Sequence, residues 1–417
     1  MIKAAALFYA VFISIIIALL SGFFILWTFY QNRYLDDEFI KERLVCDVNS
    51  SMNIVLEIPE TLNQNKINLF DDEVREITFQ KNIWGFYQII VCSGKWNRFN
   101  YSKKALIGDD IFSGNKVALY LCDQDDYLNV CGKTLLKGTC WLPKKGIKRA
   151  YIEGSSFSGT KFVEGEIKQS EKNLPELNKS MVDYNVAMLE GKPGTHDSLI
   201  WFESIQKKDT ISNDFNKKTL YVYSEQIIIL ENKIISGNVI IKSTKGIEIK
   251  ESAQICDVVI YAPYVIIENN FQGTLQAFVT DSAKIEEDCR LIYPSVIALL
   301  NKKDSKTSSF ISIGEKTELS GALVLFREKE QQKNSSILKI EKDVIINGQV
   351  YCNSLVDHKG CVNGSLYCKR FILSTPSSVY ENHLLNATVN FEGLSKYFTG
   401  ISLLESSNKK EVIRWLQ

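Results

Sequence analysis

Two short stretches decide the fold: "INGQVYCN", Ile346–Asn353, and "VNGSLYCK", Val362–Lys369. Each has a small polar residue, then glycine, then an aliphatic residue two positions on, and a cysteine four positions after the glycine. Glycine is the residue that most readily adopts positive φ. A strand, a turn that needs positive φ and a second strand are what each coil of a parallel β-helix requires. Related phrases occur at Ser236–Val239, Gln272–Leu275, Ser320–Leu323 and, far upstream, Lys137–Cys140.

The paired phrases also predict which side chains face inward, because successive strand residues point to opposite faces. We expect Gly348 and Gly364 to turn equivalent corners of adjacent coils. The expected inner side chains are Val350, Cys352, Leu366 and Cys368, and the expected outer, stacked pair is Tyr351 with Tyr367. Free, packed thiols are the expectation for the two cysteines, and a Cys352–Cys368 disulfide is the alternative.

Changes in composition along the chain predict a mainly β protein whose β-helix is parallel and right-handed. Two polar runs, at 299–309 and 326–336, predict loops that protrude from it. The middle β-rich part is either a separate domain or the first coils of the β-helix. The predicted regions are a transmembrane helix (1–30), a helical stem (31–58), a β-rich region (59–168), a connector (169–217), the β-helix (218–375) and a C-terminal cap (376–417).

The N-terminal run "AAALFYAVFISIIIALLSGFFILWTFY", Ala4–Tyr30, carries no charged side chain. A helix of this length, at about 1.5 Å per residue, crosses a hydrocarbon core of roughly 30 Å. A cleaved signal peptide is the competitor, but bulky residues stand where its small-residue cleavage site belongs. Lys3 and the amino terminus on one side, against Arg33 on the other, favour a cytoplasmic N-terminus. We therefore expect a single-pass inner-membrane protein whose remaining chain lies outside the cytoplasm.

After this run, apolar residues continue at helical spacing as far as Pro59, which predicts a stem that leads from the lipid into water.

Charge is balanced, with 49 Lys plus Arg against 49 Asp plus Glu, so no overall field favours a nucleic-acid partner. None of the ten cysteines lies in a C-x-x-C pair, which argues against a zinc ribbon or a thioredoxin-like site. Most are expected to be buried thiols.

Motifs for catalysis are weak, and we predict no catalytic, cofactor-binding or metal-binding residue. Glu286, Glu287 and Asp288 are consecutive, so at most two of these carboxylates share a strand face, and a charged turn is the simpler interpretation. Asp123–Asp126 lacks the glycine and distal glutamate of a calcium loop and is interpreted as a turn. "GTHDS", around His196, does not form a triad, because triad members come from separate segments. "GSSFSG", Gly154–Gly159, misses the G-x-S-x-G spacing.

Two resemblances add expectations. The start "MIKAAALFYAVFISIIIALLSGFFI" is similar to the membrane stems of pilin-like proteins, especially minor pseudopilins, although the acidic residue of major pilins is missing. The glycine-centred phrases resemble those of bactofilin-like, polymer-forming β-helical proteins. The segment "GTCWLPKKGIKRAYIEGSSFSGTKFVEGEIKQS" resembles uncharacterised bacterial membrane-anchored β-helix proteins. Neither resemblance assigns a role to any residue.

The sequence thus predicts a non-enzymatic structural or assembly protein, anchored in a bacterial membrane, that presents a β-helical surface to protein partners in a pilus-like or cell-envelope machine. The alternative is a carbohydrate-active enzyme, such as a polysaccharide lyase or hydrolase, or a glycan-binding module on the same scaffold. Charged residues from adjacent coils that converge in a groove with exposed aromatic residues favour the alternative.

Overall fold

A computed structural model describes residues 2–58, 66–67, 75–114, 116–191, 198–302, 308–328, 335–405 and 409–416. The protein is mainly β, with one long N-terminal helix followed by a parallel β-helix, as predicted. Two compact units are formed: Met1–Gln80 with Val91–Lys104, and Lys81–Ile90 with Ala105–Gln417. The middles of both predicted protruding loops, 303–307 and 329–334, and Pro59 lie outside the described residues.

The first unit contains the long helix and most of a small sheet. Its elements are α1 (Ile2–Glu57), β1 (Lys66–Ile67), β2 (Arg75–Trp84), β3 (Tyr87–Trp96) and β4 (Phe99–Asp109), of which β2, β3 and β4 run on into residues of the second unit. The strands lie in the order β1-β2-β3-β4. One helix therefore includes both the predicted membrane segment and the predicted stem.

The second half of α1 packs against the sheet in its own unit. Leu44, Val48 and Met52 recur at helical spacing and are buried. A Cβ atom on Gly94 of β3 would lie 2.7 Å from Val48 Cγ2, so the absence of a side chain there lets helix and strand approach closely. Lys103 Nζ donates to Asn49 Oδ1 at 2.8 Å. The stem is thus a core element of this unit from Leu44 onward.

The second unit begins its β-helix with β5 (Val117–Leu121), β6 (Leu128–Cys131), β7 (Leu135–Lys137), β8 (Thr139–Leu142), β9 (Ile147–Arg149), β10 (Tyr151–Ile152), β11 (Ser155–Ser156) and β12 (Ile167–Gln169). A connector with α2 (Lys179–Glu190), β13 (Ser198–Trp201), α3 (Phe202–Ile205) and β14 (Thr210–Asn213) follows.

The central coils are built from β15 (Leu220–Ser224), β16 (Ile228–Leu230), β17 (Ile234–Gly237), β18 (Val239–Ser243), β19 (Ile247–Ile249), β20 (Gln254–Ile267), β21 (Gln272–Ile285), β22 (Arg290–Asn301), β23 (Phe310–Ile313), β24 (Glu318–Arg327), β25 (Ile337–Ile340), β26 (Ile345–His358) and β27 (Cys361–Ser374). The chain continues with β28 (Val379–Glu381), β29 (His383–Leu385), β30 (Thr388–Asn390), a 3-10 turn (Phe391–Gly393) and β31 (Lys410–Leu416).

Each coil contributes to three parallel ladders. Strand β20 shows the arrangement, because its first residues pair with β17, its middle with β18 and its last with β19. Long strands such as β20 and β21 bend around the corners, so the three ladders join into one closed sheet. Buried aliphatic side chains from all coils fill the inside as one continuous cluster.

The order of the stacked coils differs from the order of the chain. Register neighbours on one ladder run Ile200, Val222, Ile241, Ile260, Ala277, Ile297, Leu323, Val350, Leu366, Leu119, Cys140 and Ile167. Residues 117–169 therefore stack on the coil made by 361–390, at the far end from residue 198. The predicted β-rich region (59–168) is divided: its residues 75–109 form most of the small sheet, and residues 117–169 contribute two coils that extend the end of the stack.

The connector between residues 169 and 198 contains α2, which packs against β20, β21 and β22. This helix lies within the predicted connector (169–217). Asn178 caps its N-terminus by accepting from Met181 N at 3.3 Å. At its C-terminus, Lys242 Nζ donates to the carbonyl oxygens of Met188 and Gly191. Burial lowers the pKa of Lys242 to about 8.

The two phrases that predicted the fold lie in register on β26 and β27. Gly348 and Gly364 both have positive φ, at 147° and 139°, as predicted. Val350, Cys352, Leu366 and Cys368 all lie in the inner core. The rings of Tyr351 and Tyr367 stack outside it, 6.4 Å apart. Gly273 differs from the other corner glycines, because its φ is not positive; a Cβ atom there would lie 2.7 Å from Phe271 Cζ.

The C-terminal residues do not act as a simple lid on the last coil. Residues 388–390 pair with β27 and complete its coil, and β5 and β7 cover that coil on its other side. Beyond the 3-10 turn, the chain lies along the outer face of the central coils. There Tyr293 packs against Phe398 at 5.2 Å, and Ile401 N donates to Gln349 Oε1 at 2.8 Å.

Candidate functional site

A row of aromatic side chains lies on the outer face of the ladder at the end that residues 117–169 complete. Tyr351, Tyr367, Tyr120 and Trp141 are successive register neighbours on β26, β27, β5 and β8. Their ring centroids are 6.4, 6.0 and 5.9 Å apart, and the last three rings are nearly parallel. Lys168 Nζ lies over the far face of Trp141 at 5.6 Å. The ring faces are therefore covered by one another and by a cation.

The segment that joins β12 to α2, residues 170–178, passes over this row; we call it the strap. Tyr120 Oη donates to Asn173 O at 3.4 Å and accepts from Glu171 N at 3.1 Å. Tyr351 Oη donates to Pro175 O at 3.1 Å. Burial raises the pKa of both tyrosines, so both hydroxyls stay protonated and continue to donate at neutral pH. These two phenols hold the strap in place.

A cavity of about 760 Å³ lies between the strap, the aromatic row and the C-terminal residues 401–404. All of its lining residues belong to the second unit. Its apolar wall is formed by Ile111, Val117, Leu174, Pro175, Phe391, Ile401, Leu403 and Leu404. A concave, largely apolar surface with a few convergent polar groups is the usual form of a small-molecule site.

The floor of the cavity carries three buried polar side chains. Gln349 and Ser365 are register neighbours, and Tyr367 lies two residues further along β27. Their exposed fractions are 7 %, 5 % and 8 %. Among the described residues, the Gln349 amide nitrogen, the Ser365 hydroxyl and the Tyr367 hydroxyl have no hydrogen-bond partner, although Gln349 Oε1 accepts from Ile401 N. Buried polar groups are normally paired, so these three are available for a ligand.

Trp141 also lines the cavity, but its indole nitrogen is closed off from the open space. Its Nε1 is buried and has no hydrogen-bond partner in the described structure. An indole N–H donates and cannot accept. The cavity thus offers the amide N–H of Gln349 and two hydroxyl groups, those of Ser365 and Tyr367, that donate or accept.

Three carboxylates line the cavity, and one of them is paired with an ammonium group. Asp109 is buried, pairs with Lys410, and accepts from the Ser402 hydroxyl at 2.6 Å. Glu171 and Glu176 in the strap also line the cavity. A buried carboxylate that is already paired with an ammonium attracts an additional ion only weakly.

A second groove, of about 540 Å³, lies on the other side of the strap. Its lining contains both signs of charge, and Lys302 pairs there with Asp183. Cys122 also lines it, and burial raises the pKa of this thiol to about 12. The thiol stays protonated at neutral pH, so it is a poor nucleophile.

The acidic residues that the sequence singled out do not gather in a site. Glu286, Glu287 and Asp288 lie in the turn between β21 and β22, where Lys284 pairs with Glu286 at 2.6 Å. Asp123 also lies in a turn, accepting from Asp125 N at 3.0 Å and from Lys144 N at 3.2 Å. Both segments are turns, as interpreted from the sequence.

The histidines are also separate from one another. His358 lies inside the β-helix, below Ile340, and is 1 % exposed. His383 is near the surface, with Nδ1 2.6 Å from Glu381 O. His196 lies outside the described residues, and Ser198 begins β13. "GSSFSG" supplies β11 of a small hairpin.

All ten cysteines are free thiols, and Cys352 and Cys368 are buried register neighbours that do not form a disulfide. No group of three or more His, Cys, Asp or Glu side chains suited to a metal ion occurs in the described ranges.

Sequence reasoning did not identify the cavity residues. Gln349 and Ser365 stand in the same phrases that predicted the fold, at positions that alternation assigns to the outer face. An outward Gln or Ser indicates a solvated surface unless the segments that cover it are known. The covering segments are the strap and residues 401–404, which come from distant parts of the chain.

Comparison of the chain with protein-family models, with curated proteins and with solved structures found no match.

Proposed function

We propose that this protein is a membrane-anchored, non-enzymatic structural or assembly protein that holds a rigid β-helix outside the cytoplasm and presents it to protein partners. The observation that carries the proposal is the first half of α1. It is an apolar helix long enough to span a bilayer, and no residue in its most apolar stretch is buried in the protein.

Exposed apolar side chains in this helix support a lipid environment. Leu7, Phe24 and Trp27 are 69 %, 63 % and 60 % exposed. Leaving so much apolar surface in water is unfavourable by roughly 25 cal/mol per Å². A cleaved signal sequence is also long and apolar. The experiment must therefore distinguish a retained membrane anchor from a segment that is removed by cleavage.

The anchor is tested by fractionating cells that express the full chain. We expect the protein in the membrane pellet, resistant to carbonate at high pH and released by detergent, with an intact mass that includes residues 4–30. External protease is expected to digest the β-helix in spheroplasts. Recovery of a soluble product that lacks the apolar run would overturn the anchor.

The proposed protein partners follow from the rigid scaffold and from the pilin-like and bactofilin-like resemblances of the sequence. Photo-crosslinking amino acids at Tyr151 and Tyr397, which are 72 % and 93 % exposed, would sample the surface of the β-helix unit. We expect discrete adducts with envelope proteins from one of these positions, and a control at buried Tyr261 should give none. Absence of discrete adducts at both positions would contradict a partner at these surfaces.

A second candidate function is glycan binding, and the cavity beside the strap is the observation that favours it. Carbohydrate hydrolysis is less well supported, because the acids Glu286 and Asp288 lie in a solvated turn and not in this cavity. A direct test is binding of neutral oligosaccharides to the detergent-solubilised full chain. If none binds, this candidate is wrong, and the proposed scaffold function is unaffected.

A further inference from the structure

We propose that the cavity beside the strap binds one or two units of a neutral saccharide, held by the hydroxyl groups of Ser365 and Tyr367 and the amide N–H of Gln349. This inference rests on the second candidate function, glycan binding, and names its site and ligand class.

Three polar side chains in the cavity have groups without a hydrogen-bond partner in the described structure. Gln349, Ser365 and Tyr367 are each more than nine-tenths buried, and each lines the same cavity. Three such groups in adjacent positions on β26 and β27, within the described structure, indicate that a polar ligand or water completes them.

The donors and acceptors in the lining indicate the class of ligand. The amide N–H of Gln349 needs an acceptor, and two hydroxyls and the carboxylates of Glu171 and Glu176 can accept from hydroxyl groups. A sugar has many hydroxyls that both donate and accept, and its C–H faces suit the apolar wall. No unpaired cation lines this cavity in the described residues, so an anionic sugar is not favoured.

The covered faces of the aromatic rings limit how a ligand can be oriented. Tyr120 and Tyr367 cover each other's faces, and Lys168 covers the far face of Trp141. A sugar ring therefore cannot lie flat on these rings, and it contacts their edges and polar atoms. Binding is expected to depend on hydrogen bonds more than on stacking.

The test uses the full chain in detergent micelles and titrates maltose, cellobiose and di-N-acetylchitobiose by calorimetry, with digalacturonate as the anionic comparison. The double variant Ser365→Ala with Tyr367→Phe removes two hydroxyls and keeps most of the side-chain volume. Because two hydrogen bonds to the ligand are lost, we expect the dissociation constant to rise by roughly fivefold to a hundredfold.

The matched control is Tyr397→Phe, which removes a phenol hydroxyl at a fully exposed position outside the cavity and should leave the dissociation constant unchanged. Thermal unfolding and near-ultraviolet circular dichroism of the double variant should match those of the parent protein. If the variant unfolds instead, the single Ser365→Ala variant is used, with an expected loss of about threefold to tenfold.

Three outcomes would overturn the inference, and each one contradicts a different claim: the site, the ligand class or glycan binding itself. Equal binding by the parent and the double variant leaves glycan binding intact but moves it to another site. Preferential binding of digalacturonate shows that the ligand class is wrong. No binding of any of the four sugars rejects both the site and the glycan-binding function.

Discussion

Gly348 shows how a single residue controls the spacing of coils. A Cβ atom at this position would lie 1.9 Å from the carbonyl oxygen of Gly321, its neighbour on the preceding coil. Gly364 stands in the same relation to the carbonyl of Gly348. Because the atom in the way is backbone, no side-chain movement can relieve the clash. The glycines are required both by positive φ and by the distance between strands.

We predict that Gly348→Ala lowers the free energy of unfolding by about 4 kcal/mol or more, because it combines backbone strain with a steric overlap in the core. Gly146→Ala is the matched control, since Gly146 also has positive φ, at 81°, but would place its Cβ in open space. The control should cost about 1 kcal/mol. Urea unfolding followed by tryptophan fluorescence measures both, and equal losses would show that strand spacing is not the cause.

His358 follows the apolar residues Ile285, Ile313 and Ile340 in one column of register neighbours. Its Nε2 lies 3.0 Å from Thr388 O and donates to it, while Nδ1 is buried without a partner in the described structure. Burial lowers the pKa of His358 to about 4. The folded state thus holds the imidazole neutral at a pH where the unfolded chain is protonated.

The lowered pKa of His358 predicts that the folded protein loses stability in acid. Between the unfolded value of about 6.5 and the folded value, the unfolded state binds more protons, so stability rises with pH across this window. We expect a loss of about 3 kcal/mol on going from pH 7 to pH 4 that is absent in His358→Leu. Asp357, whose pKa is raised by burial, is present in both proteins, so the comparison isolates the histidine. Unfolding free energies at a series of pH values give the test, and parallel curves would contradict it.

At the scale of an element, α2 is held on the β-helix by one buried side chain. Asn185 is fully buried; its amide nitrogen donates to Gly85 O at 2.9 Å and to Met181 O at 2.8 Å. Its oxygen accepts from Tyr261 Oη at 2.8 Å. The side chain therefore joins the turn between β2 and β3, the helix and the outer face of β20.

We predict that Asn185→Leu destabilises the protein by roughly 2–4 kcal/mol, because it leaves Gly85 O and Tyr261 Oη buried without their partner. Tyr261→Phe in the Asn185→Leu background should cost much less than Tyr261→Phe alone. A double-mutant cycle should give a coupling energy on the order of 1 kcal/mol. Additive effects would mean that the hydrogen bond between the two side chains contributes little.

The existence of these elements could be predicted from local patterns, but their contacts could not. Glycine phrases and alternating apolar residues predicted the coils around Gly348 and Gly364, whereas α2 lies in a segment that the sequence predicted as a connector. Asn185 resembles a solvent-facing residue in the sequence, because the groups that it binds belong to segments far away in the chain. The same limit applies to the cavity, whose floor and cover are brought together only by the order of the coils.

At the scale of the molecule, that order makes residues 117–169 the far end of the stack. The sequence left open whether the β-rich region 59–168, which includes this segment, was a separate domain or the start of the β-helix, and Lys137–Cys140 suggested a coil. Its register partner, Leu366–Cys368, is far removed in the chain, so no local pattern identifies it. In a stack, each coil is stabilised mainly by its immediate neighbours.

We predict that Leu119→Asp, at a fully buried position, raises amide hydrogen exchange in β27 and β30 more than in β15 and β18. Val222→Asp, equally buried near the other end, should show the opposite pattern. Hydrogen-exchange mass spectrometry distinguishes the two. If Leu119→Asp affected β15 first, the stacking order would be wrong.

The same order has a consequence for synthesis of the chain. Residues 117–169 leave the ribosome early, yet the coil on which they stack is complete only when Asn390 has been made. At about 5–20 residues per second, their inner apolar faces wait roughly ten seconds or more for a partner. Folding therefore cannot proceed coil by coil from the N-terminus. If the chain is exported as proposed, these early coils need protection, either by a chaperone or by transport in an unfolded state, until the C-terminal third arrives.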